Sequence, residues 1–315
     1  MTRRKFLSAT ATGGAIVLAE GLPKLVMAAV STTEKTFQLG GDLKVNRLGF
    51  GAMRITGEGI WGWPPDRENA KQVLRRAIEL GVNLIDTADA YGPETSELLI
   101  AEALHPYPKD LVIATKGGLT RPARGDWVPD CRPEYLSQCV DKSLKRLKLE
   151  RIDVYQLHAV DRKVPIEESV GALKKAQDSG KIRHVGLSNV TVKEIERAKK
   201  VVPIVSVQNR YNLTDRDSQD VLDYCEKEKM GFLPWAPIGG SGRASLGKSD
   251  KKSLEAEAQR HNCNPVQLAL AWLLQKSPVM LPIPGTANIA HLEQNMAAAN
   301  IQLSPEEWKK IEAAA

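Results

Sequence analysis

The chain has 315 residues, 42% hydrophobic and 26% charged, with 24 Gly and 18 Pro scattered along it, which excludes disorder, collagen-like repeats and low-complexity tails. This length suits two average domains or one α/β barrel of about 250 residues, and no apolar run reaches the roughly 20 residues of a membrane-spanning helix. Half of the net charge of +6 comes from Arg3, Arg4, Lys5 and Lys24 against Glu20, and the dispersed remainder argues against a nucleic-acid surface.

Residues 1–29 differ from the rest. Arg3-Arg4-Lys5-Phe6-Leu7 places paired arginines before a large apolar pair, followed by the weakly hydrophobic SATATGGAIVLAEGL and the small-residue end VMAA. In this three-part layout the segment resembles a twin-arginine export signal, with cleavage after Ala28 or Ala29. The resemblance implies contact with the twin-arginine export machinery, a periplasmic location and a mature domain over 30–315. An N-terminus that does not act as a signal leaves the protein in the cytoplasm. Because that route carries folded proteins, often around a cofactor, a cofactor is expected. The four cysteines, Cys131, Cys139, Cys225 and Cys263, form no Cys-x-x-Cys and no ligand spacing, so they read as reduced packing residues. Cys131 and Cys139, placed on one helix, lie about 12 Å apart along its axis, too far for a bridge.

From residue 35 onward, KTFQLGGDLKVN reads as a short hairpin turning at Gly40-Gly41. Eight short apolar runs follow, at 47–53, 82–86, 110–115, 152–157, 182–188, 204–208, 231–237 and 279–285. Amphipathic stretches lie between them, beginning with RENAKQVLRRAIELG, for which Asp66 is the N-cap and Gly81 the stop. EYLSQCVDKSLKRLKL, EESVGALKKAQDSG and KEIERAKK repeat the arrangement. Strand then helix, repeated without a linker, predicts a single (β/α)8 TIM barrel in the α/β class, with an N-terminal hairpin and a C-terminal helix starting near Ser304-Pro305. A doubly wound sheet would need a glycine-rich loop opening a helix. Gly57-x-Gly59-x-x-Gly62 has the spacing, but Trp63-Pro64-Pro65 follows, so these read as loop glycines.

Barrel enzymes carry their reactive side chains at the C-terminal strand ends. Strand two ends at Asp86 with Tyr91 in its loop, strand three at Lys116 and strand four at His158. Around these positions LIDTADAYG, IATKGG, YQLHAVD and GLSN resemble the aldo-keto reductase family, from about Val45 to Asn300. The resemblance implies NAD(P)H-dependent, reversible reduction of aldehyde or ketone carbonyls, with no metal. Tyr91 would be the general acid, its pKa lowered by the Lys116 cation; Asp86 would balance Lys116, and His158 would orient the carbonyl.

The resemblance also implies the cofactor residues. Ser188, Asn189 and Gln208 would hold the nicotinamide carboxamide, and Trp235 would stack on the ring where the family more often has Tyr. Pro237, Ile238, Gly239 and Gly240 would bring backbone amides to the pyrophosphate. Gly285, Thr286, His291 and Asn295 fall in the adenosine half, with Thr286 and the helix start facing phosphate oxygens. Gly285 stands where a lysine is often found, and His291 where an arginine grips the 2′-phosphate. NADP(H) is expected ahead of NAD(H) on family habit alone.

The loop GLTRPARGDWVPDCRP, with Trp127, Arg121 and Arg124, is expected to overhang the mouth, either binding a polar or acidic small-molecule carbonyl substrate or lying solvated around one packed tryptophan. The chain stops at Ala315 without a long C-terminal specificity loop, so an open site is expected. Two other readings are a cofactor-binding regulatory subunit of the same fold, as in potassium-channel β-subunits, and an unrelated barrel enzyme carrying the motifs by chance.

Overall fold

The computed structural model describes residues 35–239 and 248–313. The signal-like segment 1–29, with the boundary it sets, and Gly240 lie outside them.

The first elements are β1 (Thr36–Leu39) and β2 (Leu43–Asn46), an antiparallel hairpin turning through Gly40 and Gly41 at φ +65° and +85°. Leu39, Leu43 and Val45 pack on Leu84, Val112, Val154, Leu233 and Leu281, so the hairpin plugs one end of a barrel interior and leaves the other end for chemistry.

The barrel wall runs β3 (Phe50–Gly51), β4 (Leu84–Asp86), β5 (Val112–Gly117), then, after a small hairpin of β6 (Leu119–Thr120) and β7 (Val128–Pro129), β8 (Ile152–Leu157), β9 (Ile182–Ser188), β10 (Ile204–Gln208) and β11 (Gly231–Phe232). Neighbouring wall strands pair in parallel throughout. The run at 279–285 is not a regular strand. Its backbone still closes the ring: Leu281 donates to Phe232 at 2.8 Å, Phe232 to Val279 at 2.9 Å, Gly49 to Pro282 at 2.9 Å and Gly51 to Pro284 at 3.4 Å. Pro282 and Pro284 have no N–H to give back, so the ladder is half complete. Gly285 approaches the wall so closely that an added Cβ would lie 2.3 Å from the Gly51 carbonyl oxygen.

Around the wall lie α1 (Arg67–Glu79), α2 (Thr95–Leu104), α3 (Pro133–Leu147), α4 (Ile166–Asp178), α5 (Val192–Lys199), α6 (Gln219–Glu228), α7 (Lys248–Arg260), α8 (Pro265–Lys276), α9 (Ile289–Ala297) and α10 (Pro305–Ala313). Asp66 caps α1 by accepting from the Asn69 N–H, and Gly81 takes φ +87° just past its end, as the sequence indicated. Helix α2 escaped the pattern because Thr95, Ser96 and Glu97 are buried along with its leucines, which erases the amphipathic stripe. Cys131 precedes α3 instead of sharing it with Cys139, because Pro133 starts the helix at its first turn; all four cysteines are free. Among the described residues no helix is long and apolar enough to cross a membrane.

Candidate active site

Parallel strands put the ends of β4, β5 and β8 at one mouth, opposite the hairpin plug. Lys116 lies fully buried there, a position that a cation occupies only with partners. Its Nζ donates to Asp86 Oδ2 at 2.7 Å and to the Thr87 carbonyl at 2.8 Å, and it reaches Tyr91 Oη at 3.3 Å, so all three ammonium protons are engaged. The second carboxylate oxygen, Asp86 Oδ1, accepts from Gln208 Nε2 at 2.7 Å and Gln156 Nε2 at 3.2 Å. The His158 ring stands edge-on to Tyr91 with centroids 5.7 Å apart.

The loop that carries Tyr91 is fixed from three sides. Thr87 and Asp89 donate to the β5 carbonyls of Ala114 and Lys116 at 2.8 and 3.1 Å. Gly92, at φ +93°, leaves no room for a side chain, because a Cβ would sit 2.5 Å from the Thr95 Cβ. The 57–62 segment is a loop, as the following Pro64-Pro65 indicated, and its Gly62 donates to the Gly92 carbonyl at 2.6 Å.

The charges at the mouth are set by burial and by one another. Burial opposes the Lys116 charge most strongly, but Asp86 and Tyr91 together outweigh it and the ammonium is held above its ordinary range. For Tyr91 the expectation is corrected: burial raises the phenol by more than Lys116 lowers it, so its pKa lies above 10.0 and the proton stays on the oxygen. His158 is held well below 6.5 by burial, then by Lys116 and Arg121, and is neutral. Its Nδ1 is buried without a partner.

The expected nicotinamide residues share this rim, but several are already engaged. Asn189, in the left-handed region at φ +57°, gives its Nδ2 to the His158 carbonyl at 3.1 Å and to Ser188 Oγ at 3.0 Å, while its Oδ1 accepts from the Trp235 indole at 2.9 Å. Gln208 turns its amide nitrogen to Asp86, because a carboxylate only accepts; that aims its Oε1 away from Asp86. The pyrophosphate expectation is corrected in part. Pro237 has no N–H, and the Gly239 N–H closes a turn on the Ala236 carbonyl at 2.9 Å, leaving the Ile238 N–H as the available donor among these three. At the start of α9 the Asn288 side chain caps the His291 N–H at 3.0 Å and Thr286 Oγ1 accepts from the Asn288 N–H at 3.1 Å, so the helix start is less open than expected. The His291 side chain is exposed, and Asn295 is buried.

The loop expected to overhang the mouth does so through Trp127. Its ring centroid is 6.3 Å from that of Tyr91 and 6.2 Å from that of His158. Arg121 is buried beneath it, while Arg124 is exposed and pairs with Glu58 at 3.4 Å.

The Aldo/keto reductase family model matches residues 47–315, nearly the whole barrel. The chain belongs to that family. An uncharacterized oxidoreductase of Schizosaccharomyces pombe (strain 972) is 48% identical over 272 residues, 86% of this chain and 87% of that one. The pyridoxine 4-dehydrogenase of Escherichia coli (strain K12) is 41% identical over 280 residues, covering 87% and 96%. Among solved structures, an aldo/keto reductase from Klebsiella pneumoniae in complex with NADP and acetate superposes with a TM-score of 0.76 at 26% identity, covering 89% of this chain and 95% of that one.

Within this aldo/keto reductase, sequence reasoning missed Gln156 and Asp89. Gln156 is a polar residue inside the apolar run IDVYQL, two positions before His158 and therefore on the same strand face, a signal that was available. Asp89 is buried with Oδ1 unpartnered, and burial with the nearby Glu97 pushes its carboxyl up to about 7.

Proposed function

We propose that the protein reduces aldehyde or ketone carbonyls reversibly with a nicotinamide cofactor, using Tyr91 as the proton donor. The observation that carries this reading is the buried Asp86–Lys116–Tyr91 chain of contacts beside a neutral His158 at one barrel mouth. When bound, the reduced nicotinamide supplies the hydride.

As negative charge builds on the carbonyl oxygen, the proton on Tyr91 Oη moves to it. Lys116 Nζ, 3.3 Å away, stabilises the phenolate that remains, which is worth more in a dry site than in water. Asp86 keeps Lys116 in place, and Gln208 and Gln156 keep Asp86 in place. Neutral His158 offers one N–H to the same oxygen and so orients the carbonyl. Burial raises the Tyr91 pKa, which ensures that the acid is loaded before reaction.

The residues present fit the nicotinamide. A carboxamide needs an acceptor and a donor, and Gln208 Oε1 and the Ser188 hydroxyl supply them at the ends of β10 and β9. The Trp235 indole, held edgewise by Asn189, offers a face for the ring. NADP(H) stands ahead of NAD(H), supported by the Klebsiella pneumoniae relative in complex with NADP.

Titration of the chain lacking residues 1–29 with NADPH and then NADH, followed by tryptophan quenching, ranks the cofactors. Saturable quenching that weakens in Trp235→Ala is the expected result, followed by NADPH oxidation with a panel of aldehydes that includes pyridoxal. No binding of either nucleotide overturns the proposal and favours a degenerate or regulatory role.

We also infer export through Arg3 and Arg4. A reporter fused to residues 1–29 should reach the periplasm and be retained when both arginines become lysine; cytoplasmic retention of the unmodified fusion defeats the inference.

A further inference from the structure

Arg121 is 9% exposed, and burial opposes its charge more than Asp126, the carboxylate acting on it from a distance, supports it. Its guanidinium lies over the Trp127 ring, with Cζ 3.8 Å from the centroid, and faces Trp61 at 5.5 Å. Nη1 donates to the Ala90 carbonyl at 2.9 Å and the Ile60 carbonyl at 3.2 Å. The opposite edge, formed by Nε and Nη2, is buried and has no hydrogen-bond partner among the described residues. Among the described residues no carboxylate lies within ion-pair distance of Arg121. At the same mouth Lys116 is already paired with Asp86 and His158 carries no charge, so Arg121 is the cation there without an ion-pair partner among the described residues. Burying a guanidinium costs free energy unless its donors are used, and the Nε/Nη2 edge is the fork that matches a carboxylate in two parallel bonds.

We infer that Arg121 is the specificity residue of this site and that the preferred substrates are carbonyl compounds bearing a carboxylate, which the Nε/Nη2 edge of Arg121 binds while Tyr91 and His158 hold the carbonyl. The inference rests on the carbonyl-reductase reading above and names its substrate class. The route between the two ends is short. Trp127 meets Arg121 with its face and stands T-shaped to both Tyr91 and His158, so a molecule lying along that indole spans from the guanidinium to the proton donor. The Ala90 carbonyl ties the same guanidinium to the residue before Tyr91, which fixes the distance between anion site and acid.

The test compares acids with their neutral amides: 3- and 4-carboxybenzaldehyde against the corresponding formylbenzamides, and succinic semialdehyde against 4-oxobutanamide, each with NADPH. For at least one pair, kcat/KM should favour the acid by about 10- to 100-fold, the span expected of a charge-assisted forked pair. In Arg121→Gln that ratio should collapse towards one, mainly through KM, and Arg121→Lys should keep part of it because charge remains without the fork. Equal rates for acid and amide in the unmodified enzyme overturn the inference. So does an equal loss for both in the variants, which is what a purely structural Arg121, bracing Ala90 and Ile60, would produce. If no aldehyde is reduced, the carbonyl-reductase reading fails separately, and the anion site is then read by binding of benzoate against benzamide, followed by Trp127 fluorescence. Saturable benzoate binding, absent for benzamide and lost in Arg121→Gln, upholds the site; indifference between the two defeats it.

Discussion

Gln208 Nε2 lies 2.7 Å from Asp86 Oδ1, while Lys116 Nζ lies 2.7 Å from Asp86 Oδ2. One carboxylate therefore joins the residue expected to meet the nicotinamide to the residue that supports the proton donor. On the proposed roles, cofactor contact and acid strength would be coupled through two bonds on a single side chain.

That coupling makes Lys116 hard to remove. Lys116→Met leaves Asp86 buried with its charge uncompensated and should cost about 3–5 kcal/mol in unfolding free energy. Lys116→Met combined with Asp86→Asn should recover most of the stability and none of the activity. Denaturant midpoints for the two single variants and the double variant close the cycle; additive losses would show that the pair is not coupled.

Tyr91→Phe removes one hydroxyl from a packed ring. Carbonyl reduction should fall by about 10²- to 10⁴-fold, the usual range for a lost general acid, with NADPH affinity nearly unchanged. Single-turnover rates and fluorescence titration separate the two effects, and undiminished turnover would remove Tyr91 from its role.

His158 is held neutral well below 6.5 by burial, Lys116 and Arg121. The profile of kcat/KM should consequently show no break attributable to His158 between pH 5.5 and 8, a window chosen to bracket the ordinary imidazole value of about 6.5. In His158→Gln, which keeps a donor, the shape should be unchanged and the rate lower. A break near 6.5 that disappears in His158→Gln would show that the imidazole titrates normally.

Asp89 titrates in the opposite sense to most carboxyls, because burial and Glu97 move its pKa up from 3.8 to about 7. The folded state holds the proton that the unfolded state has released, so stability falls as pH rises from about 4 to about 7 and stays lower above. In Asp89→Asn that loss should disappear. The melting temperature of the variant relative to the parent should rise between pH 5 and pH 8 by about 5–10 °C, the equivalent of roughly 3 kcal/mol for two pH units at about 1.36 kcal/mol each. A difference that is constant with pH would place the carboxyl in its ordinary range.

Gly285 stands where the family often has lysine, and the backbone explains why. A Cβ there would lie 2.3 Å from the Gly51 carbonyl oxygen. Gly285→Ala should lower the melting temperature, and Gly285→Lys should fail to strengthen any preference for NADPH over NADH. A stable Gly285→Lys protein with tighter NADPH binding would show that the wall moves to admit a side chain.

Much of this was legible in the chain. The hairpin, seven wall strands and the caps of α1 follow from periodicity and turn chemistry, because those signals are local. Asp86, Lys116 and His158 were found by asking which polar side chains end apolar runs, and Tyr91 by its place in the loop after the first of these. The closing run at 279–285 also showed itself as apolar, but Pro282 and Pro284 prevent a regular ladder, a consequence of which N–H groups its neighbours require. Helix α2 was invisible because a helix buried nearly all round has no polar face to set the period.

The sequence by itself determined the barrel, its direction and which polar side chains meet at its mouth, since each depends on residues close together in the chain or on strand ends that all point one way. Only the tertiary structure decided what state those side chains are in. Burial overrules Lys116 at Tyr91, Gln156 and Gln208 converge on Asp86 from two other strands, and Arg121 is left under Trp127 with half its donors unused. Charge and desolvation act through space, and the distances that set them exist only once the ring has closed.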